Sequence, residues 1–161
     1  MRTASALCAA YPNLNRDLLL TGVLFHDCGK LWEVCPPESG FEIPRELRGE
    51  LLGHISIGIE LVNALWRKLP LEEWREVVPS SEDVRLHLLH LIAAHHGELQ
   101  YGSPVEPKTP EAIALNMIDN LDARLEMIAV AYIKQPEIAP GIHERVRTLN
   151  TSPVKPLSSW G

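Results

Sequence analysis

Apolar residues recur along this chain at spacings of three and four rather than two, which predicts helices throughout and no alternating strand. Residues 2–10 form a short amphipathic helix that Pro12 and Asn13 break. Asn15 caps the next helix, in which Leu18, Leu19, Val23 and Phe25 run into a His26–Asp27 pair. Residues 36–49, rich in Pro, Gly and charge, predict a long loop. His54 then opens a helix through Ile57, Ile59, Leu61, Val62, Leu65 and Trp66 that ends near Pro70, and residues 71–78 predict a short helix. Ser81 begins a strong helix whose first turn holds Glu82 and Asp83, complementing its dipole, and which runs up to His95–His96–Gly97. Thr109, Pro110 and Glu111 start a last helix that reaches about Lys134. The predicted fold is an all-α helical bundle of roughly five to seven helices over residues 1–139, followed by an irregular tail over 140–161.

With 161 residues, 45% of them hydrophobic, the chain can bury the core of one domain. Its 15 basic and 21 acidic residues leave a net charge of −6, so no global positive field draws in nucleic acid, and strong stand-alone nucleic-acid binding is not expected. Cys8, Cys28 and Cys35 form no CxxC pair and read as free thiols of a cytoplasmic protein. No apolar run reaches the ~18 residues of a membrane span, and no signal peptide is expected.

The chemistry concentrates in the run Leu-Phe-His-Asp-Cys-Gly-Lys, residues 24–30. A carboxylate set beside an apolar helix is costly to desolvate without a partner, and a cation would be one. Further candidate ligands follow at His54, at His95–His96 and at Asp119. Mixed imidazole and carboxylate donors suit Mn, Fe, Co, Ni or Zn rather than Ca. Neighbours on a helix point about 100° apart, so His26 and Asp27 can grip one ion only where the helix ends, and Gly29 is expected to end it. Taken singly these residues are weak signals. His54 alone reads as a helix-start residue, and His87, His90 and His143 read as ordinary. Asp119 shares a helix side with Asp122 and Glu126, opposite the stripe Ile113, Met117, Leu121, Leu125 and Ile128, which by default is a solvated face. Ala112, Leu115, Ala123 and Val130 lie on that same side, however, so the helix is apolar almost all round.

The order His-Asp, His, His-His, Asp is far more specific. With the segments LLLTGVLFHDCGKLWE, LLGHISIGIELV, LIAAHHGE and ALNMIDNLDARLEM, the chain resembles the HD-domain metal-dependent phosphohydrolases over most of its length. It is most similar to the HD domain of the YhaM-type 3′-to-5′ exoribonucleases. Carried over position by position, the family pattern falls on His26, Asp27, His54, one of His95 and His96, and Asp119. His95 is the choice for the principal cluster; adjacent side chains diverge, which leaves His96 to face the substrate or an additional cation. The family's first histidine precedes the His-Asp pair, and no histidine lies between Met1 and Phe25. The expectation is that the first helix is truncated just past that ligand, or that the chain is a diverged member with a weakened site.

The resemblance implies one or two divalent transition-metal ions, with Asp27 able to bridge a pair. It implies a metal-bound hydroxide that cleaves a phosphoester of a nucleotide or an RNA 3′ end, with Lys30 steadying the phosphoryl charge. The acidic balance favours an alternative, a small-nucleotide phosphatase or phosphodiesterase. The absent first histidine favours another, a non-catalytic nucleotide- or metal-binding module.

Overall fold

The computed structural model describes residues 1–33, 46–74 and 78–157. Most of the expected loop over 36–49, Cys35 and part of the short helix expected over 71–78 lie outside these residues. Among the described residues six α-helices occur, one of them a single turn: α1 Arg2–Ala10, α2 Arg16–Phe25, α3 Lys30–Glu33, α4 Leu47–Trp66, α5 Ser81–Ala94 and α6 Pro110–Lys134. Two 3-10 turns, Leu71–Trp74 and Leu99–Tyr101, and two short strands, β1 Glu137–Ala139 and β2 Ile142–His143, complete the elements. None of the described helices is long and apolar enough to cross a membrane.

The start signals act as local chemistry dictates. Asn15 Oδ1 accepts the Leu18 N–H at 3.1 Å, Ser80 Oγ accepts the Asp83 N–H at 3.1 Å, and Thr109 Oγ1 accepts the Ala112 N–H at 3.2 Å. Helix α4 is broken at Gly53, whose φ of 68° and ψ of 156° lie outside the helical region. A side chain there would meet no atom within 4 Å, so glycine serves the left-handed φ rather than space. His54 restarts the helix after that break, but the helix itself begins at Leu47, inside the stretch over 36–49 expected as loop.

The chain forms two compact units, Met1–Met117 and Ile118–Gly161. In the first, α2 packs on α1 and α5, and α4 packs on α3 and α5. Leu19, Ile57, Leu91, Ile92 and Leu115 are fully buried there. Val62, Leu88 and Ile92 form a core cluster against which Leu18, Phe25, Cys28, Ile59, Trp66 and Leu89 pack. The continuous burial of these side chains is what fixes the helices that carry the histidines.

The second unit holds the rest of α6 and the C-terminal segment. Strands β1 and β2 pair antiparallel, with Glu137 opposite His143 and Ala139 opposite Ile142. Single bridges join Ile142 to Val154 and Val146 to Thr151. His143, expected to be ordinary, is buried; its Nδ1 donates to the Gln135 carbonyl at 3.1 Å and its ring meets Tyr132. Strands of two and three residues have no period to read, so the predicted irregular tail hides this ribbon.

Candidate metal centre

Helix α2 changes geometry within the His-Asp pair. The His26 N–H still reaches back four residues to the Gly22 carbonyl at 2.8 Å. From there the turns tighten to three residues, with Cys28 N–H on the Phe25 carbonyl at 3.0 Å and Lys30 N–H on the Asp27 carbonyl at 2.9 Å. Leaving the regular helix lets two neighbouring side chains serve one place. Gly29 contributes by its size: a Cβ there would stand 1.9 Å from the His54 carbonyl oxygen and 2.9 Å from the Gly58 nitrogen. It is the close approach of α3 and α4 that requires glycine at this point.

Three buried atoms converge. Asp27 Oδ1 lies 3.6 Å from His54 Nε2 and 3.6 Å from His95 Nε2. These separations are too long for hydrogen bonds. All three atoms are enclosed and without a hydrogen-bond partner. Two donors bound to one ion at about 2.1 Å stand about 3.0–3.4 Å apart at octahedral or tetrahedral angles, close to the spacing found. The donor set therefore fits a divalent metal that would satisfy all three orphaned atoms at once. The other oxygen, Asp27 Oδ2, accepts from Lys30 Nζ at 2.8 Å and lies 3.5 Å from His26 Nε2.

Each histidine is held by its other nitrogen. Nδ1 of His26 faces the Val23 carbonyl at 3.0 Å, Nδ1 of His95 the Ile92 carbonyl at 2.7 Å, and Nδ1 of His96 the Tyr101 carbonyl at 2.8 Å. Nδ1 of His54 faces the Glu33 carboxylate at 2.5 Å. An oxygen opposite Nδ1 demands the proton there, so all four rings keep the lone pair on Nε2. Four rings set in the same tautomer are prepared for ligation.

The electrostatics agree. Burial pushes the Asp27 carboxyl up, but the surrounding groups, the Lys30 ammonium bonded to Oδ2 among them, outweigh it and hold the carboxyl well below the usual carboxylate range. Asp27 therefore stays ionised. Burial lowers the His54 pKa, against the opposing pull of Glu33, so that ring favours the neutral, metal-binding form. Cys28 is pushed up by burial and stays a thiol; it packs on the core and against Gly58.

His95 and His96 do not separate as adjacency on a helix predicts. Their rings meet edge to face at 4.4 Å, and His96 is 5.1 Å from the His54 ring. Ligand atoms of His54, His95 and His96 lie within 4.8 Å of one another. The reason is that α5 ends at Ala94, so the pair sits on the turn that follows rather than on regular helix. Lys30 is engaged with Asp27, with its side chain 48% exposed. Asp119 is half buried on α6 and belongs to the second unit. His87 is exposed, and His90 Nε2 accepts the Lys108 N–H at 2.9 Å, a structural role.

Two supporting residues escape sequence reasoning. Glu33 orients His54 across 21 positions of chain. Asn116 Nδ2 donates to the His95 carbonyl at 2.8 Å, tying the start of α6 to the end of α5. Neither belongs to a recognisable ligand pattern, because each acts on a ligand rather than on an ion.

A family model described as HD domain matches residues 1–124. The chain is 39% identical to the 3′-5′ exoribonuclease YhaM of Geobacillus sp. (strain WCH70), over 99% of this chain and 45% of that protein. It is 40% identical to the 3′-5′ exoribonuclease YhaM of Bacillus subtilis (strain 168), over 97% of this chain and 46% of that protein. The namesake of Listeria welshimeri is 38% identical over 80% of this chain and 37% of its own length. The chain thus spans less than half the length of these relatives. No solved structure matches.

Proposed function

The chain belongs to the HD-domain family, and on that premise we propose that it is a metal-dependent phosphohydrolase acting on RNA 3′ ends. The observation that carries this reading is the trio of orphaned atoms, Asp27 Oδ1, His54 Nε2 and His95 Nε2, facing one point. His26, Asp27, His54, His95 and Asp119 are the proposed ligands. A divalent cation in this set supplies a Lewis acid that acidifies water and offsets phosphoryl charge. Its identity is proposed from the Mn, Fe, Co, Ni and Zn group on the nature of the donors.

The chain's own groups do the rest. Asp27 remains ionised at neutral pH and keeps Oδ1 directed at the site while Oδ2 holds Lys30. The half-exposed Lys30 ammonium is placed to receive a phosphoryl oxygen of the substrate. His96 lines the same cluster from a half-buried position and is proposed to face the substrate or a second ion. The names of the relatives support RNA as substrate; the net charge of −6 favours a small nucleotide ester instead.

One experiment separates these readings. The chain with Mn²⁺ is incubated with 5′-labelled single-stranded RNA, either open or phosphate-blocked at the 3′ end, and with bis-(p-nitrophenyl) phosphate. Stepwise shortening of the open RNA, abolished by Asp27→Ala, is the expected result. Hydrolysis of the small ester alone would move the assignment to a small-nucleotide enzyme. Tight Mn²⁺ binding without hydrolysis of any substrate would make the chain a binding module.

A further inference from the structure

The loop that follows α5 is tied down at several points. The Tyr101 and Ser103 N–H groups both donate to the Glu98 carbonyl, at 3.0 and 3.3 Å. Ser103 is buried, with its Oγ 3.0 Å from the Ala93 carbonyl oxygen and 2.8 Å from that of Val105, which pins the loop to the end of α5. Gly102 takes a φ of 85°, the left-handed conformation that closes the Leu99–Tyr101 turn. The Tyr101 carbonyl accepts from Nδ1 of His96 at 2.8 Å. The His96 ring in turn lies against those of His54 and His95, so one imidazole separates Tyr101 from the metal cluster.

A lone exposed tyrosine on a loosely held loop needs no explanation. This one is 63% exposed on backbone that the metal cluster's own histidine helps to fix. Its hydroxyl has no hydrogen-bond partner and its ring no aromatic neighbour among the described residues. Leu99, on the same turn, is 62% exposed. An aromatic side chain on fixed backbone offers a large contact area and has few rotamers to lose on binding. Its place beside the cluster matches the anatomy of a nucleotide, whose base lies one sugar away from its 5′ phosphate. With that phosphate at the metal, the base reaches about one ring beyond the ligands.

We propose that Tyr101 stacks on the base of the nucleotide whose 5′ phosphate occupies the metal centre, which in RNA is the 3′-terminal nucleotide. This rests on the reading of the centre as a phosphohydrolase of nucleotide esters and adds to it the group that receives the base. Every base has a π face, so recognition by a single aromatic ring tolerates all four bases and distinguishes a nucleotide from a bare sugar phosphate. Stacking needs the ring and not the hydroxyl, which makes Tyr101→Phe the conservative variant.

The test uses the whole chain loaded with Mn²⁺, and calorimetry with AMP and with ribose 5-phosphate, which has the same phosphate and sugar but no base. AMP is expected to bind about 5- to 100-fold more tightly, the range for one stacked base. Tyr101→Ala is expected to abolish that preference, and Tyr101→Phe and Tyr11→Ala, the latter at an equally exposed tyrosine, to keep it. Should Tyr101→Ala lose its helical circular dichroism, Tyr101→Gln makes the same comparison. In RNA shortening, the folded Tyr101 variant is expected to raise KM by a similar factor with kcat nearly unchanged. RNA whose last nucleotide is abasic is expected to be cleaved alike by parent and variant. Binding of both sugar phosphates without preference, an undiminished preference in the folded Tyr101→Ala or Tyr101→Gln chain, or its loss in Tyr101→Phe overturns the stacking alone. Binding of neither up to about 10 mM overturns the reading of the centre and the stacking with it.

Discussion

Glu33 and His54, 21 positions apart, meet through a 2.5 Å contact between carboxylate Oε2 and ring Nδ1. The carboxylate fixes the ring's proton on Nδ1 and turns Nε2 into the cluster, the arrangement by which carboxylates tune histidine ligands. Glu33→Ala is expected to weaken binding of Mn²⁺ about 10- to 100-fold, measured by calorimetry, while the helical circular dichroism is unchanged. Unaltered affinity would mean that Glu33 only decorates the site.

Gly29→Ala places a methyl group where the His54 carbonyl stands, 1.9 Å away, and backbone rather than a flexible side chain must yield. The variant is expected to lose at least about 1–3 kcal/mol in urea unfolding and to bind metal weakly, because His54 moves with its carbonyl. Gly58→Ala is the control. Its Cβ would meet Cys28 Sγ at 3.5 Å, an ordinary contact, within regular helix where alanine is favoured by about 1 kcal/mol. Stability at or above the parent's is expected there.

Leu91 is completely buried on α5 and packs against Gly22 of α2. Leu91→Ala is expected to cost about 2–5 kcal/mol by urea titration, the range for a truncated buried leucine. A loss under about 1 kcal/mol would mean that the α2–α5 contact is not central to the first unit.

His90 gives a pH signature. Burial lowers its pKa below the ordinary 6.5, with help from His87 and Lys108. At pH values above that ordinary value both folded and unfolded chains hold it neutral, and its contribution to stability is complete. As pH falls, the unfolded chain takes the proton first, and the contribution is lost through the folded pKa. His90→Gln is therefore expected to flatten the fall in stability below pH 6.5, read from melting temperatures across a pH series, without changing hydrolysis. A slope equal to the parent's would contradict the assignment.

The sequence by itself determined what depends on near neighbours. Asn15, Ser80 and Thr109 cap their helices because the partner N–H lies three positions on. Periodicity placed the long helices, though it began α4 at His54 rather than at Leu47, and the ordered histidines and aspartates pointed to one chemistry. Only the tertiary structure decided which of those groups meet. It put His96 against His54 and His95, although adjacency argued for divergence, because the helix stops before the pair. It recruited Glu33 and Asn116, whose value lies in partners 21 positions away. It explained Gly29 by an approach between segments rather than by a turn. It paired strands too short to carry a period. Capping and periodicity are set within one or two turns of helix, whereas ring orientation, orphaned atoms and close backbone contact exist only once distant segments have packed.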